Sequence, residues 1–150
     1  MIDMMAVNIM LCHGPMNDDD LMVYRLPGTS YYLAAVYSVF GVSLRAAQVA
    51  NALLGMLTVW LLFDLVRRAF STGAALWAAF FAATYPMLAF YAPQLMSETP
   101  TLLLIALSLW LAWRGRSGSL RWLVPLGISL GWAMLTREIM FPAAGLVVLW

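Results

Sequence analysis

The sequence predicts an all-α, polytopic bundle of transmembrane helices, and three observations support this fold class. Hydrophobic residues make up 64% of the 150 residues and charged residues only 10%, whereas a soluble domain carries about 25% charged residues. Long apolar runs alternate with short polar segments, as in multi-span membrane proteins. Five of the eight cationic residues form two clusters between these runs. The clusters are Arg67-Arg68 and Arg114/Arg116/Arg121.

The arginine clusters also predict the topology. Folding the apolar runs back and forth across a bilayer brings both clusters to one face, the positive-inside pattern that marks the cytoplasmic side. Only Asp64 lies with them, so the outer face carries most of the acidic groups. These are Asp3, Asp18, Asp19, Asp20, Glu98 and Glu138.

Composition excludes several other functional classes. The chain has no lysine, and its arginine patches are short, unlike the basic stripe of a nucleic-acid-binding protein. A single cysteine, Cys12, permits no internal disulfide. Cys12 and the adjacent His13 lack the spacing of a metal-ligand set, so no metal site is predicted from them.

Residues 1–43 are predicted to form an outer loop that contains a surface helix. Leu26-Pro27-Gly28 has the composition of a turn, and the segment 29–41 that follows is apolar and rich in tyrosine. As a helix this segment reaches about 20 Å, too short for a hydrocarbon core of about 30 Å. We therefore expect an interfacial helix that lies on the outer membrane surface.

The first full span is predicted over 44–66 and ends at Arg67-Arg68. Its polar residues fall on one helical face, which is expected either to pack against other helices or to line a site. They are Gln48, Asn51, Gly55 and Thr58. Asp64 precedes Arg67 and Arg68 by three and four residues, so we expect it to pair with both at the inner surface.

The second and third spans are predicted over 74–92 and 99–113. In the second, Ala75, Ala79 and Ala83 form a small-residue stripe suited to close helix contact, and Pro86 is expected to kink the helix. The third is expected to begin with Thr99 as N-cap and Pro100 in the first helical position.

The fourth span is predicted over 122–137, with Gly127 and Gly131 as a tight-packing pair. Its apolar part reaches only about 22 Å, so either it tilts little and ends early or Arg137 lies at membrane depth. A further span is predicted to start over 142–150. We expect 1–150 to be a partial domain, with one helix before Met1 and several after Trp150, because the first span has to be entered from outside.

Four charged residues on the outer side are the candidate substrate-binding residues: Arg25, Glu98, Arg137 and Glu138. Charges near a bilayer are costly unless paired or hydrated and often mark a site. Glu98 also suits simple capping of a helix N-terminus, and Arg137-Glu138 also suits an interfacial anchor. Glu138 points about 100° away from Arg137 on a helix and is a poor partner for it. We therefore expect Arg137 to bind a phosphate, which arginine does well.

The order of several short motifs resembles a known family. They are YRLPGTSYYLA at 24–34, FGVSLR at 40–45, NALLG at 51–55 with the arginines at 67–68, YP at 85–86, SET at 97–99, GISLG at 127–131 and LTR at 135–137. Together they resemble the bacterial membrane glycosyltransferases related to dolichyl-phosphate-mannose protein mannosyltransferases, over nearly the whole chain.

The resemblance implies the N-terminal part of a C-type glycosyltransferase (GT-C) fold in a multi-pass cell-membrane enzyme. Such enzymes pass a sugar from a polyprenyl-phosphate carrier to a protein, lipid or glycan acceptor at the extracytoplasmic face. Arg25, Glu98 and Arg137 occupy positions of the family's motifs, and Arg137 would face the carrier phosphate. The implied partners are this donor and membrane lipids, and no nucleic acid. No cofactor is implied with certainty, and a role for a divalent metal ion is left open.

The family's catalytic aspartate has no counterpart at the matching position of this chain. It would fall just before Met1, since Asp3 is out of register and Asp18 to Asp20 lie too far downstream. The catalytic residue is therefore unknown from this sequence. Two other functions stay open: a transporter or flippase of lipid-linked sugars, which also needs polar helix faces and outer arginines, and a structural membrane subunit.

Overall fold

The computed structural model describes residues 6–7, 9, 11, 28–86, 96–116, 120–137 and 145. Within them the chain forms five main helices and no strand, which confirms the predicted all-α class. The helices are α1 (Gly28–Phe40), α2 (Leu44–Ala69), α3 (Thr72–Thr84), α4 (Glu98–Gly115) and α5 (Leu120–Thr136).

The central helix of the described part is α2, which packs against α1, α3 and α4. Helix α4 packs along α5, and α1 also touches α5. The α4/α5 pair is antiparallel: the hydroxyls of Ser108 and Ser129 meet near the middle, and Gly115 lies beside Trp122 near the connection. The beginning of α4 and the end of α5 therefore share one end of the bundle.

Helix α1 forms where the surface helix was predicted, with a buried face and an exposed face. Leu33, Ala34 and Tyr37 are buried at helical spacing and pack with Ala6 and Ala47. Gly28, predicted to belong to a turn, is the first helical residue. Helix α1 is followed by Gly41, whose φ of 75° is the left-handed conformation that favours glycine after a helix. Its position at a membrane surface stays a prediction.

Helix α2 continues three residues beyond the predicted span. Its 26 residues extend over about 39 Å, and Arg67 and Arg68 lie in its last turn. By length and composition it is the one described helix that could cross a bilayer. Asn51 and Thr58 of the predicted polar face are buried, as expected for residues that pack between helices.

Helix α3 differs from the predicted second span in two ways. It ends at Thr84, because the residue before a proline is driven out of the helical region, and Tyr85 has φ −65° and ψ 114°. The expected kink at Pro86 is therefore a break at Tyr85. Of the predicted alanine stripe only Ala75 is buried, while Ala83 is exposed. Residues 87–92 lie outside the described part.

The start of α4 and the packing face of α5 also correct the sequence predictions. Ser97, not Thr99, is the N-cap of α4, and Pro100 sits in the first turn, where a missing N–H costs nothing. Gly127 and Gly131 are exposed, and a Cβ built on either meets no atom within 4 Å. The buried stripe of α5 instead comprises Leu126, Ser129, Ala133 and Thr136, because the hydroxyl of Ser129 turns toward Ser108.

Candidate functional site

Two of the four candidate residues meet at one end of the bundle. The Nη2 atom of Arg137 lies 3.4 Å from Oε1 of Glu98. The antiparallel packing of α4 and α5 produces this contact, because Glu98 is the first residue of α4 and Arg137 directly follows the last residue of α5. Arg25 and Glu138 lie outside the described residues.

The ion pair gives Arg137 a partner that the local sequence does not indicate. The neighbouring Glu138 was predicted to be a poor partner, and Glu98 lies 39 residues earlier in the chain. The distance of 3.4 Å is longer than that of a tight charge-assisted hydrogen bond, about 2.8 Å. The side chain of Arg137 is 46% exposed, and a guanidinium carries five N–H donors. Arg137 can therefore keep its contact with Glu98 and still bind an anion.

A close backbone approach brings the beginning of α1 to the same place. A Cβ built on Gly28 would lie 2.6 Å from the carbonyl oxygen of Leu135 and 2.9 Å from the side chain of Thr136. Only glycine fits this contact, because no real Cβ atom comes so near a backbone oxygen. The two residues that precede Arg137 thus form the surface against which Gly28 is seated.

Buried hydroxyl side chains surround this end of the bundle. They belong to the first turns of α1 and α4 and to the end of α5, namely Thr29, Ser30, Thr99, Thr101 and Thr136. The hydroxyl of Thr136 donates to the carbonyl of Ala133 at 2.7 Å, and that of Thr101 donates to Ser97 at 2.6 Å. The Oγ1 atom of Thr29 is buried and has no hydrogen-bond partner within the described part.

Tyr32, one turn after Gly28, carries another buried hydroxyl. It makes no hydrogen bond with the described residues, and burial raises the pKa of Tyr32 to about 12. Its phenol is therefore neutral at any physiological pH. No functional role was predicted for Tyr32 or for the hydroxyls around Glu98, and the available signal was the density of Ser and Thr next to the two charged residues.

The opposite end of the bundle holds the predicted inner arginines. Asp64 accepts a hydrogen bond from Nη2 of Arg67 at 2.7 Å and from Nε of Arg68 at 2.6 Å, which confirms the predicted pairing. The indole Nε1 of Trp110 donates to the same carboxylate at 2.8 Å, a contact between α2 and α4 that the sequence did not reveal. Both arginine clusters accordingly lie at one end, away from Glu98 and Arg137.

No group of three or more His, Cys, Asp or Glu side chains that could hold a metal ion occurs among the described residues. At the Glu98 end, the one described acidic group is already paired with Arg137. These residues are therefore suited to binding an anion through the guanidinium of Arg137, which Glu98 holds in place.

The comparisons with known proteins assign the family. A sequence model described as dolichyl-phosphate-mannose-protein mannosyltransferase matches residues 25–150. No curated protein and no solved structure gives a significant match. The match covers most of the chain and includes both members of the Arg137–Glu98 pair. The chain therefore belongs to the dolichyl-phosphate-mannose-protein mannosyltransferase family, a group of membrane glycosyltransferases of the GT-C type.

Proposed function

We propose that this protein transfers a sugar from a polyprenyl-phosphate donor to a protein, lipid or glycan acceptor at the extracytoplasmic face of the cell membrane. The observation that carries the proposal is the Arg137–Glu98 pair, in a chain that belongs to a sugar-transferring family. The family favours a transferase over a lipid-linked-sugar transporter or a structural subunit.

Arg137 is the residue we assign to the donor phosphate. When the bond between sugar and phosphate breaks, negative charge develops on the leaving phosphate. A guanidinium fixed beside it stabilises that charge without having to reorganise. Its planar fork also suits a phosphate better than the point charge of a lysine. The exposed part of Arg137 provides the donors for this contact.

Glu98 is assigned as a positioning residue that restricts the rotamers of Arg137. An arginine side chain loses roughly 2 kcal/mol of rotamer entropy when it is fixed. Because the ion pair already restricts the side chain, less of this entropy is lost when the donor binds. Since Glu98 is engaged in this way, we do not assign it as the base that deprotonates the acceptor. The family resemblance assigns that role to an aspartate near the start of the first outer loop.

Arg25 is proposed to contact the donor from the segment above the site. Three residues of chain extend at most about 11 Å, and Gly28 is seated against Leu135 and Thr136. The length of chain between Arg25 and Gly28 therefore allows Arg25 to reach the surroundings of Arg137. Glu138 follows Arg137 directly and stays a candidate for a contact with the acceptor.

The distribution of charge supports the proposed extracytoplasmic orientation. Both arginine clusters lie at the end of the bundle opposite Arg137, and arginine-rich ends of membrane proteins face the cytoplasm. Arg137 is thus proposed to face the side on which polyprenyl-linked sugars are consumed by this type of enzyme.

The test is sugar transfer by the full-length enzyme in a bilayer, with Arg137→Lys, Arg137→Ala and Arg137→Gln at equal folded amounts. Loss of a charged hydrogen bond made in the transition state costs roughly 1.5–3 kcal/mol, about ten- to a hundredfold in rate. Arg45→Gln is the matched control, because Arg45 is an exposed arginine at the start of α2 without an assigned role. If all three Arg137 variants retain the parental rate and donor dependence, Arg137 is only an interfacial anchor.

A further inference from the structure

A second basic site lies at the end of the bundle opposite Arg137. In the described residues this end carries five arginines and one acid, Asp64. The arginines are Arg67, Arg68, Arg114, Arg116 and Arg121. This local excess of positive charge is unrelated to the site proposed for the sugar donor.

Asp64 organises the part of this cluster on α2 without neutralising it. It binds one N–H of Arg67 and one of Arg68, and each guanidinium has five donors. The two side chains are 48% and 40% exposed, whereas that of Asp64 is 7% exposed. The acid is thus enclosed beneath the two arginines, and their outer edges face the surroundings.

Tryptophan rings organise the rest of the cluster. The guanidinium carbon of Arg114 lies 4.1 Å from the ring centroid of Trp110 and 5.2 Å from that of Trp122, within the range of cation–π attraction. The two rings meet edge to face at 6.2 Å. Arg121 also lies over Trp122, at 5.6 Å. Because Trp110 also donates to Asp64, the two halves of the cluster are joined.

An apolar surface leads up to the arginines. Trp60, one turn before Asp64, is 54% exposed and Met56 is 68% exposed, and the ring of Trp60 contacts Trp110 at 6.5 Å. A molecule with an anionic head and an apolar tail could place its head on the arginines and its tail along α2. Trp side chains are typical of the depth at which bilayer head groups begin.

We propose that this Arg/Trp cluster binds the phosphate of an anionic phospholipid in the membrane leaflet at this end of the bundle. Arginine binds phosphate with two parallel hydrogen bonds, and basic sites between helices on the cytoplasmic side recognise anionic lipid head groups. The apolar approach along α2 selects a lipid over a free phosphate ion. The competing explanation is that the arginines only set the topology, which requires charge but no lipid selectivity.

The experiment compares lipid binding to the full-length protein in vesicles of phosphatidylcholine doped with spin-labelled phosphatidylglycerol or spin-labelled phosphatidylcholine. The measured quantity is the relative association constant of the two labelled lipids. The Arg116→Gln/Arg121→Gln variant tests the cluster, because both side chains are exposed and neither holds Asp64. Arg116→Lys/Arg121→Lys keeps the charge, and Arg45→Gln removes an arginine from the opposite end of α2.

The wild-type protein is expected to prefer phosphatidylglycerol, and the preference should fall by about fivefold for each arginine replaced by glutamine. The lysine variant should keep most of the preference, which shows that the glutamine variant fails through charge and not through misfolding. Arg45→Gln should behave as wild type. Equal association of the two lipids with the wild type, an unchanged preference in the glutamine variant, or an equal loss in Arg45→Gln would each overturn the proposal.

Discussion

Arg137 at the end of α5 is paired with Glu98 at the beginning of α4, with Nη2 and Oε1 3.4 Å apart. The contact joins two residues that the sequence marks separately as site candidates. It also ties the ends of two antiparallel helices together at the point where α1 is seated.

The Glu98–Arg137 pair should matter more for activity than for stability. Both side chains are partly exposed, 25% and 46%, so solvent screening should limit their coupling free energy to less than about 1 kcal/mol. A double-mutant cycle with Glu98→Gln and Arg137→Gln, measured by unfolding in mixed micelles, gives this value. The swapped variant Glu98→Arg/Arg137→Glu places both charges against the helix dipoles, so it should lose about 1–2 kcal/mol of stability and should transfer no sugar. A swapped variant with full activity would show that the position of the cation is unimportant.

Gly28→Ala should destabilise the protein by about 1–3 kcal/mol, the usual cost of overpacking. The new methyl would lie 2.6 Å from the carbonyl oxygen of Leu135, so α1 has to move away from α5. Gly127→Ala is the matched control, because its Cβ meets nothing within 4 Å and alanine is the better helix former by about 0.5–1 kcal/mol. Equal stabilities of the two variants would contradict the close approach of α1 and α5.

Asp64→Asn should lower the stability of the protein more than Trp110→Phe does. The asparagine lacks the charge that attracts Arg67 and Arg68. Because these arginines are about half exposed, we expect the free energy of unfolding to fall by about 1–3 kcal/mol. Trp110→Phe removes one donor from the carboxylate, worth about 1 kcal/mol, and weakens the contact of Arg114 with its ring. Denaturant unfolding of both variants is the measurement. The reverse order would show that the indole packing, and not the acid, joins α2 to α4.

Ser108 and Ser129 should be replaceable together. Their Oγ atoms are 2.9 Å apart, and each also lies close to a carbonyl of its own helix. Replacing both partners of a buried hydrogen bond by apolar groups can be nearly neutral, whereas removing one leaves the other less satisfied. The Ser108→Ala/Ser129→Ala double variant should therefore lose less stability than the sum of the two single variants. Additive losses would show that the two hydroxyls act independently.

The topology can be tested by single-cysteine labelling in a full-length Cys12→Ser parent. Gly118→Cys, between α4 and α5, should react with a membrane-impermeant reagent only from the cytoplasmic side. Arg25→Cys and Arg45→Cys should react from the outside. If α1 lies on the outer surface, the residues before and after it stay on the same side of the membrane. Labelling of position 118 from outside only would refute the orientation. Reaction of positions 25 and 45 from opposite sides would show that α1 crosses the membrane.

The helical class, the approximate extents of α1, α2, α4 and α5, and the pairing of Asp64 with Arg67 and Arg68 could all be predicted from the sequence. These features depend on local spacing: apolar runs set helix length, and residues three or four apart on a helix meet directly. The motif order also indicated the family, which the family match confirmed. The interfacial position of α1 and the roles of Arg25 and Glu138 stay predictions.

Which helix faces meet depends on the tertiary packing of the helices. The spacing of Gly127 and Gly131 suggested a packing face, but that face is exposed because α5 turns its Leu126, Ser129 and Ala133 side inward. Likewise, Arg137 finds its partner in Glu98 and Asp64 gains Trp110 from residues far along the chain. Such pairs depend on how two helices are rotated and aligned against each other, a long-range packing property that no local pattern specifies.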